Sequence, residues 1–79
     1  MKQEDEQTLI ELVTPQLNRY HFGETVLCPG MFPPGYWKAL SKGARTTLGR
    51  WISFLVAKGA LPLEPCGLNS KRHNQYRKI

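Results

Sequence analysis

Residues 41–59 have the sequence SKGARTTLGRWISFLVAKG, which has the features of one α-helix with both ends marked. Ser41 is a residue type whose hydroxyl accepts a hydrogen bond from a free backbone N–H in the first helical turn. Gly59 stands where helices commonly end in the left-handed conformation, and Lys58 is a cation in the last turn. Apolar side chains recur between these ends at helical spacing, with Leu48 as a central anchor, and predict one buried face. They are Ala44, Leu48, Trp51, Ile52 and Leu55, with Phe54 and Val56 widening the stripe.

The opposite face of this predicted helix carries small, polar and basic residues. They are Arg45, Thr46, Gly49, Arg50, Ser53 and Ala57. A helix of this kind can pack its apolar face on a core and still bring its cationic face to a phosphate backbone. A solvated core helix also has a charged outer face as a rule, so the helix by itself is compatible with both interpretations.

Gly49 lies in the middle of the predicted helix, where glycine costs about 1 kcal/mol relative to alanine. We expect the segment that carries Trp37 to pack over this glycine, and the alternative is close approach of a partner. Trp37, Trp51 and Phe54 are expected in the core.

The length of 79 residues is enough for one small domain, residues 1–79, which buries too little surface to favour a deep catalytic cleft. We therefore expect no enzyme activity and no cofactor, with the function on an exterior surface. The sequence has no apolar run long enough to span a bilayer, and its acidic N-terminus lacks the parts of a signal peptide. These features predict a soluble, cytoplasmic protein without membrane contact.

The formal net charge of +5 is unevenly distributed along the chain. Residues 1–13 hold one lysine against four carboxylates, a net −3, whereas residues 14–79 hold ten lysines and arginines against two carboxylates, a net +8. A basic body with an acidic leading segment predicts a polyanionic partner, with nucleic acid as the first candidate. Solubility alone could also account for this balance.

Residues 1–20 are predicted to form a kinked N-terminal helix, or two short helices, over residues 5–19. The interruption is Pro15, because a proline inside a helix removes a hydrogen bond and clashes one turn back. Thr14 and Pro15 could instead cap and open a new turn. The apolar side of the pattern consists of Leu9, Ile10, Val13, Leu17 and Tyr20.

A short strand and a short helix are predicted before the long helix. Residues 24–27 have strand-like composition and end at the turn signal Cys28-Pro29-Gly30. Pro34 suits the first turn of a helix over residues 34–40. Together with the long helix, predicted over residues 42–58, this segment gives a helix-turn-helix-like pair over residues 34–58.

After the long helix the pattern predicts a β-hairpin over residues 61–78. Apolar and other residues alternate at its start, and Pro62 and Pro65 restrict this segment to an edge strand. The C-terminal residues return as a second strand, whose alternation turns Tyr76 to the core. A hairpin after a helix pair is the layout of a wing. The predicted fold class is therefore mainly α with a small β-hairpin, winged-helix-like.

Spaced anchor residues run through the chain from Gly23 to Lys78. They are Gly23, Trp37-x-x-Leu40, Arg45-x-x-Leu48-Gly49, the apolar residues 54–56, and Asn74-Gln75-Tyr76. In these positions the segment resembles a family of short phage and bacterial proteins of unknown function. The resemblance implies a helix-turn-helix-like domain and a phage or prophage context, and it supplies no established activity or catalytic residue.

Two groups of side chains form the predicted nucleic-acid-binding site, one meeting a groove or the backbone and the other the flanking phosphates. They are Arg45, Thr46 and Arg50 on the long helix, and Lys71, Arg72, Arg77 and Lys78 in the tail. Arg45 could instead be structural, since it lies near the helix junction. The leading hypothesis is a regulatory accessory protein of phage type that binds double-stranded DNA. The alternative is a protein–protein adaptor or inhibitor that uses the same small-residue face without touching DNA.

The spacing of cysteines and histidines does not favour a metal site. His21 and Cys28, like Cys66 and His73, are separated by six residues, which is wrong for the compact knuckles that bind zinc. A Cys28–His21 nucleophile is also not favoured, because neither residue has an activating context. We expect two reduced thiols and no bound metal.

Overall fold

The computed structural model describes residues 2–68 and 74–79. In chain order the described elements are α1 (Gln3–Leu17), β1 (Thr25–Leu27), a 3₁₀ helix (Cys28–Met31), α2 (Lys42–Ala57), β2 (Leu63–Leu68) and β3 (Asn74–Lys78). The strands form one antiparallel sheet in the order β1-β3-β2. The fold is therefore mixed α/β, and the prediction of a mainly α fold is wrong, because β1 pairs with β3 and extends the hairpin into a three-stranded sheet. Neither of the described helices is long and apolar enough to cross a membrane.

The long helix α2 begins and ends where its local signals predict. The Ser41 hydroxyl accepts a hydrogen bond of 3.1 Å from a backbone N–H of the first turn. Gly59 has a φ of 80°, and the N–H groups of Gly59 and Ala60 donate back to carbonyls of the last turn at 3.1 and 2.9 Å. This is a Schellman end, which satisfies carbonyls that the helix leaves unpaired. The predicted helix over residues 42–58 is confirmed.

The short helix predicted over residues 34–40 does not form, so the helix-turn-helix-like pair over residues 34–58 is wrong in its first member. Residues 34–39 form successive turns, and the Ala39 N–H to the Gly35 carbonyl is a single bond of α-helical spacing among them. Gly35 has a φ of 81°, a left-handed conformation that a right-handed helix cannot contain. The segment therefore reverses the chain instead of adding a helix.

The N-terminal helix α1 is one continuous element, so the alternative of two short helices is wrong. Pro15 lies inside its last turn, and only two helical residues follow it. The cost of the missing N–H is thus confined to the end of the helix. Thr14, the residue before Pro15, donates its hydroxyl to the Ile10 carbonyl one turn earlier, at 2.6 Å.

The hydrophobic core is built from both helices and the sheet. Its largest fully buried side chains are Val13 and Leu17 of α1, Val26 of β1, Met31, and Ile52 and Leu55 of α2. Leu48 of α2 is only half-buried and packs at the margin of this cluster. Ile52 and Leu55, rather than Leu48, are therefore the central anchors of α2.

The two strands predicted within residues 61–78 form as β2 and β3, and they pair antiparallel. β2 is an edge strand, a position that tolerates Pro65. Tyr76 of β3 is buried as its strand alternation predicts, and its hydroxyl lies 2.7 Å from the Ser53 hydroxyl oxygen. Lys71 and Arg72, which the sequence assigns to the nucleic-acid site, lie outside the described residues.

Candidate nucleic-acid interface

The small and basic face of α2 forms the floor of an open cleft of about 670 Å³. Residues spaced three or four apart share one side of a helix, and this spacing brings the floor residues together. They are Arg45, Thr46, Gly49, Arg50 and Ser53. The three residues of α2 that the sequence assigns to nucleic-acid binding therefore line one concave surface.

The walls of the cleft come from segments that lie before and after α2 in the sequence. They are Leu27, Cys28, Pro29, Trp37 and Asn74. These residues supply mostly apolar surface, with an amide from the first residue of β3. Among the described residues, the lining includes two arginines and no carboxylate. The cleft is consequently suited to an anionic occupant with apolar parts.

Arg45 is tied to the backbone of the turns that precede α2. Its Nε donates to the Trp37 carbonyl at 3.1 Å, and its Nη2 donates to the Lys38 carbonyl at 3.2 Å. Two of the five guanidinium N–H donors are used in this clamp. Arg45 therefore has the structural role that its sequence position left open, whether or not its other donors meet a ligand.

Arg50 is exposed, and its guanidinium group makes no hydrogen bond or ion pair with any other described residue. Thr46 is also exposed, and its hydroxyl donates to the Lys42 carbonyl at 3.1 Å. Such back-bonding is common for a threonine in a helix. Of the three predicted α2 residues, Arg50 is thus the cation that a bound anion can engage without breaking a contact within the described chain.

Arg77 and Lys78, the two tail cations that the structure describes, do not line the cleft. β3 begins at Asn74 in the cleft wall, and Arg77 and Lys78 lie three and four residues further along it, roughly 10 Å or more away. The Nη1 atom of Arg77 is 3.3 Å from Oε1 of Glu64 on the neighbouring strand. The structure therefore brings the three predicted α2 residues together and leaves these two tail cations apart from them.

The acidic leading segment lies at the far end of α2 from Arg45. Lys58, the C-cap of α2, has its Nζ 2.6 Å from Oε1 of Glu6 in α1. Glu4 and Asp5 are also in the first turn of α1. With a rise of about 1.5 Å per residue, Lys58 lies roughly 20 Å along the helix from Arg45. The charge asymmetry of the sequence thus becomes an asymmetry along α2, which favours approach of a polyanion at the arginine end.

Open space lies over Gly49 in the floor of the cleft. A Cβ at this position would have no atom of the described chain within 4 Å. The prediction that the Trp37 segment packs over this glycine is therefore wrong. No contact within the described chain compensates for the cost of a mid-helix glycine. The remaining alternative is that Gly49 allows a ligand to approach the helix closely.

Trp37 is a wall residue that sequence reasoning assigned to the core. Its ring is half-buried and stacks on the buried Phe32, with ring centroids 5.4 Å apart and an interplanar angle of 27°. Phe54, also expected in the core, is 51% exposed. Apolar spacing cannot separate a core aromatic from one that lines a cleft. The glycine in the facing helix was the signal that could have suggested a cleft position for Trp37.

Cys28 contributes a half-buried thiol to the cleft wall, and burial raises the pKa of this thiol. The pKa of Tyr76 is raised first by burial and then by the proximity of Cys28, while the hydrogen bond from Ser53 acts in the opposite direction. A thiol with a raised pKa is protonated at neutral pH and is a poor nucleophile. The environment of Cys28 therefore does not activate it for covalent chemistry.

The four metal-ligand candidates of the sequence are not assembled by the part of the chain that the structure describes. Cys28 and Cys66 are both free cysteines. Within residues 2–68 and 74–79, no three His, Cys, Asp or Glu side chains come together in a group that could hold a metal ion. His73 lies outside these ranges.

We expect the stability of the protein to fall with alkaline pH in a way that depends on Cys28. Because burial raises the thiol pKa in the folded state, the folded protein holds this proton more tightly than the unfolded chain. The stabilisation is complete below the ordinary thiol pKa of about 8.5 and is lost as pH rises through the folded value. Melting temperatures measured at pH 8 and 9.5 should fall further for the wild type than for Cys28→Ala. Equal losses in the two proteins would contradict this assignment.

This chain matches no protein-family model, no curated protein and no solved structure. The resemblance to short phage and bacterial proteins therefore stays a prediction. The interpretation of the cleft depends on its own geometry and charge.

Proposed function

We propose that the protein binds double-stranded DNA through the cleft face of α2, as a regulatory accessory protein of phage or prophage type. The observation that supports this function is the composition of the cleft. Within the part of the chain that the structure describes, its lining holds Arg45 and Arg50 and no carboxylate. Arg50 has no partner among the described residues, so a phosphate would gain a cation without displacing an existing ion pair.

We further propose that the fold is winged-helix-like, with turns in place of the first helix of the helix-turn-helix pair. The order helix, strand, turns, helix and hairpin supports this arrangement. So does the position of Asn74, the first residue of β3, in the wall beside α2. A duplex that lay against the cleft face of α2 would then lie against the end of the hairpin at Leu68 and Asn74 as well. The contacts of the four tail cations with flanking phosphates remain predictions; these cations are Lys71, Arg72, Arg77 and Lys78.

The test is a titration of random-sequence duplex DNA with the protein at 50 and 200 mM salt. Phosphate neutralisation makes log K fall linearly with log salt, with a slope of about −0.9 for each contact. Arg50→Ala should weaken binding to all sequences alike and reduce the slope by about one contact. If Arg50 instead reads a base, its loss should cost about 1–3 kcal/mol on a preferred site only.

Arg77→Ala is the matched comparison for this experiment, because it removes a predicted flanking phosphate contact instead of a cleft residue. It removes the same side chain from an exposed position that is outside the cleft and already 3.3 Å from Glu64. We expect a smaller loss of affinity than for Arg50→Ala. The proposal fails if the wild type has no affinity for duplex DNA even at 50 mM salt, and the position of the interface is wrong if Arg77→Ala has the larger effect.

A protein–protein adaptor or inhibitor that uses the same cleft is the second candidate function. The apolar walls at Leu27, Pro29 and Trp37 favour it, since they could receive apolar side chains of a partner. An adaptor would bind its protein partner with a weaker dependence on salt than phosphate neutralisation requires, and it would not bind the duplex. The duplex titration therefore separates the two functions.

A further inference from the structure

The cleft has room for more than a contact at its surface. Its volume of about 670 Å³ lies within the range of pockets that hold small molecules, about 300–1,000 Å³. Above Gly49 there is space that no described atom of the chain fills. An uninterrupted duplex keeps its bases paired and stacked, so it presents phosphates, sugars and base edges to a protein rather than the face of a base. A duplex without unpaired bases would thus leave the apolar walls of this cleft unused.

One wall of the cleft is an aromatic surface that is fixed from two directions. Phe32 packs on the Trp37 ring at a centroid distance of 5.4 Å, and Trp37 is one of the residues that line the cleft. The Trp37 carbonyl accepts the hydrogen bond from Arg45 in α2. Aromatic side chains held in this way are the surfaces on which proteins stack unpaired bases with little sequence preference.

The polar groups of the cleft complement the rest of a nucleotide. Arg50 is an exposed cation in the lining, where a phosphate can reach it, and no carboxylate of the lining repels the phosphate. The amide of Asn74 offers both a donor and acceptors to the edge of a base. Apolar wall, cation and amide therefore occur together in one concave surface.

We propose that this cleft receives a single unpaired nucleotide of a DNA strand, with its base against Trp37 and its phosphate at Arg50. The inference depends on the proposed DNA binding through α2 and specifies the kind of DNA that this surface favours. The protein then binds a duplex that contains an unpaired base more tightly than a continuous one.

The test compares three duplexes of equal length: one continuous, one with a single bulged nucleotide, and one with an abasic residue at the bulge. We expect the bulged duplex to bind about tenfold more tightly than the other two, because base stacking on an aromatic side chain contributes an effect of this order. Trp51→Phe leaves Trp37 as the one tryptophan of the chain. Its emission should be quenched by the bulged duplex and little changed by the abasic one.

Gly49→Leu tests the cleft itself, because its side chain would occupy the space above the floor. This variant should bind the bulged and the continuous duplex with equal affinity, so that the tenfold preference for the bulge is lost. Ala57→Leu is the matched control, since it adds leucine to an exposed position of α2 outside the cleft and should keep the preference. Thermal melting of both variants establishes that they are folded, and Gly49→Ala replaces Gly49→Leu if the latter is not.

The possible results separate the two proposals. Equal affinity for the three duplexes, with unchanged Trp37 emission, overturns nucleotide capture and leaves DNA binding intact. A preference that the abasic bulge also produces overturns it as well, because the deformability of the DNA would then explain the effect. No affinity for any duplex at 50 mM salt overturns both.

Discussion

Ile52→Ala is expected to lower the free energy of unfolding by about 2–5 kcal/mol, which is a large part of the stability of a domain this size. Ile52 is fully buried in α2 and belongs to the cluster that both helices and the sheet build. Truncation removes buried methyl groups and leaves a cavity that these elements cannot close without moving apart from their other contacts. Urea unfolding measures the loss, and an unchanged m-value would show that both proteins unfold the same structure.

Leu48→Ala is the internal comparison for this substitution. Leu48 lies one turn earlier on the same face of α2 but is only half-buried. We expect it to cost roughly 1–2 kcal/mol, because part of its surface remains exposed to water in the folded protein. A cost equal to that of Ile52→Ala would contradict the assignment of Ile52 and Leu55 as the central anchors of the helix.

Arg45→Ala is expected to lower the free energy of unfolding by roughly 2 kcal/mol, the range of hydrogen bonds to a charged group. The substitution leaves the carbonyls of Trp37 and Lys38 without the donors that Arg45 supplies at 3.1 and 3.2 Å. It also detaches the turns before α2 from the first turn of that helix. Arg45→Lys should restore only part of the loss, since one ammonium group does not reproduce the planar fork.

Arg50→Ala is the matched control, because it removes the same side chain from an exposed position of the same helix. Its effect on stability should stay within about 0.5 kcal/mol. If Arg45→Ala proves as stable as Arg50→Ala, the clamp contributes nothing and water satisfies both carbonyls. Affinity for DNA has to be measured beside stability for Arg45, because loss of the clamp also releases the wall that carries Trp37.

The segment before α2 shows how local signals can conflict. Pro34 favours the first turn of a helix, whereas Gly35 adopts a φ of 81° and ends any helix at once. Both residues are visible in the sequence, but glycine is also compatible with the negative φ of a helix. The sign of φ at Gly35 is therefore set by the structure around it. Here the stacking of Phe32 on Tyr36 and Trp37 accompanies the turn conformation.

The sequence by itself determined those elements whose causes lie within a few residues of one another. The ends of α2 depend on Ser41 and Gly59, and the edge position of β2 follows from Pro65 within the strand and Pro62 before it. The burial of Tyr76 follows from strand alternation. In each case a hydrogen bond or a side-chain period that is local to the element selects the structure.

Only the tertiary structure decided the sheet and the cleft. β1 joins β3 across about fifty residues of sequence, and the energy of that pairing depends on contacts that no local pattern encodes. The cleft brings Cys28, Trp37, Gly49 and Asn74 to one surface from four separate segments. Each of these side chains has an ordinary structural explanation when considered alone. Their meeting depends on how the helices and the sheet pack, because a concave surface is a property of the relative positions of elements and not of any one of them.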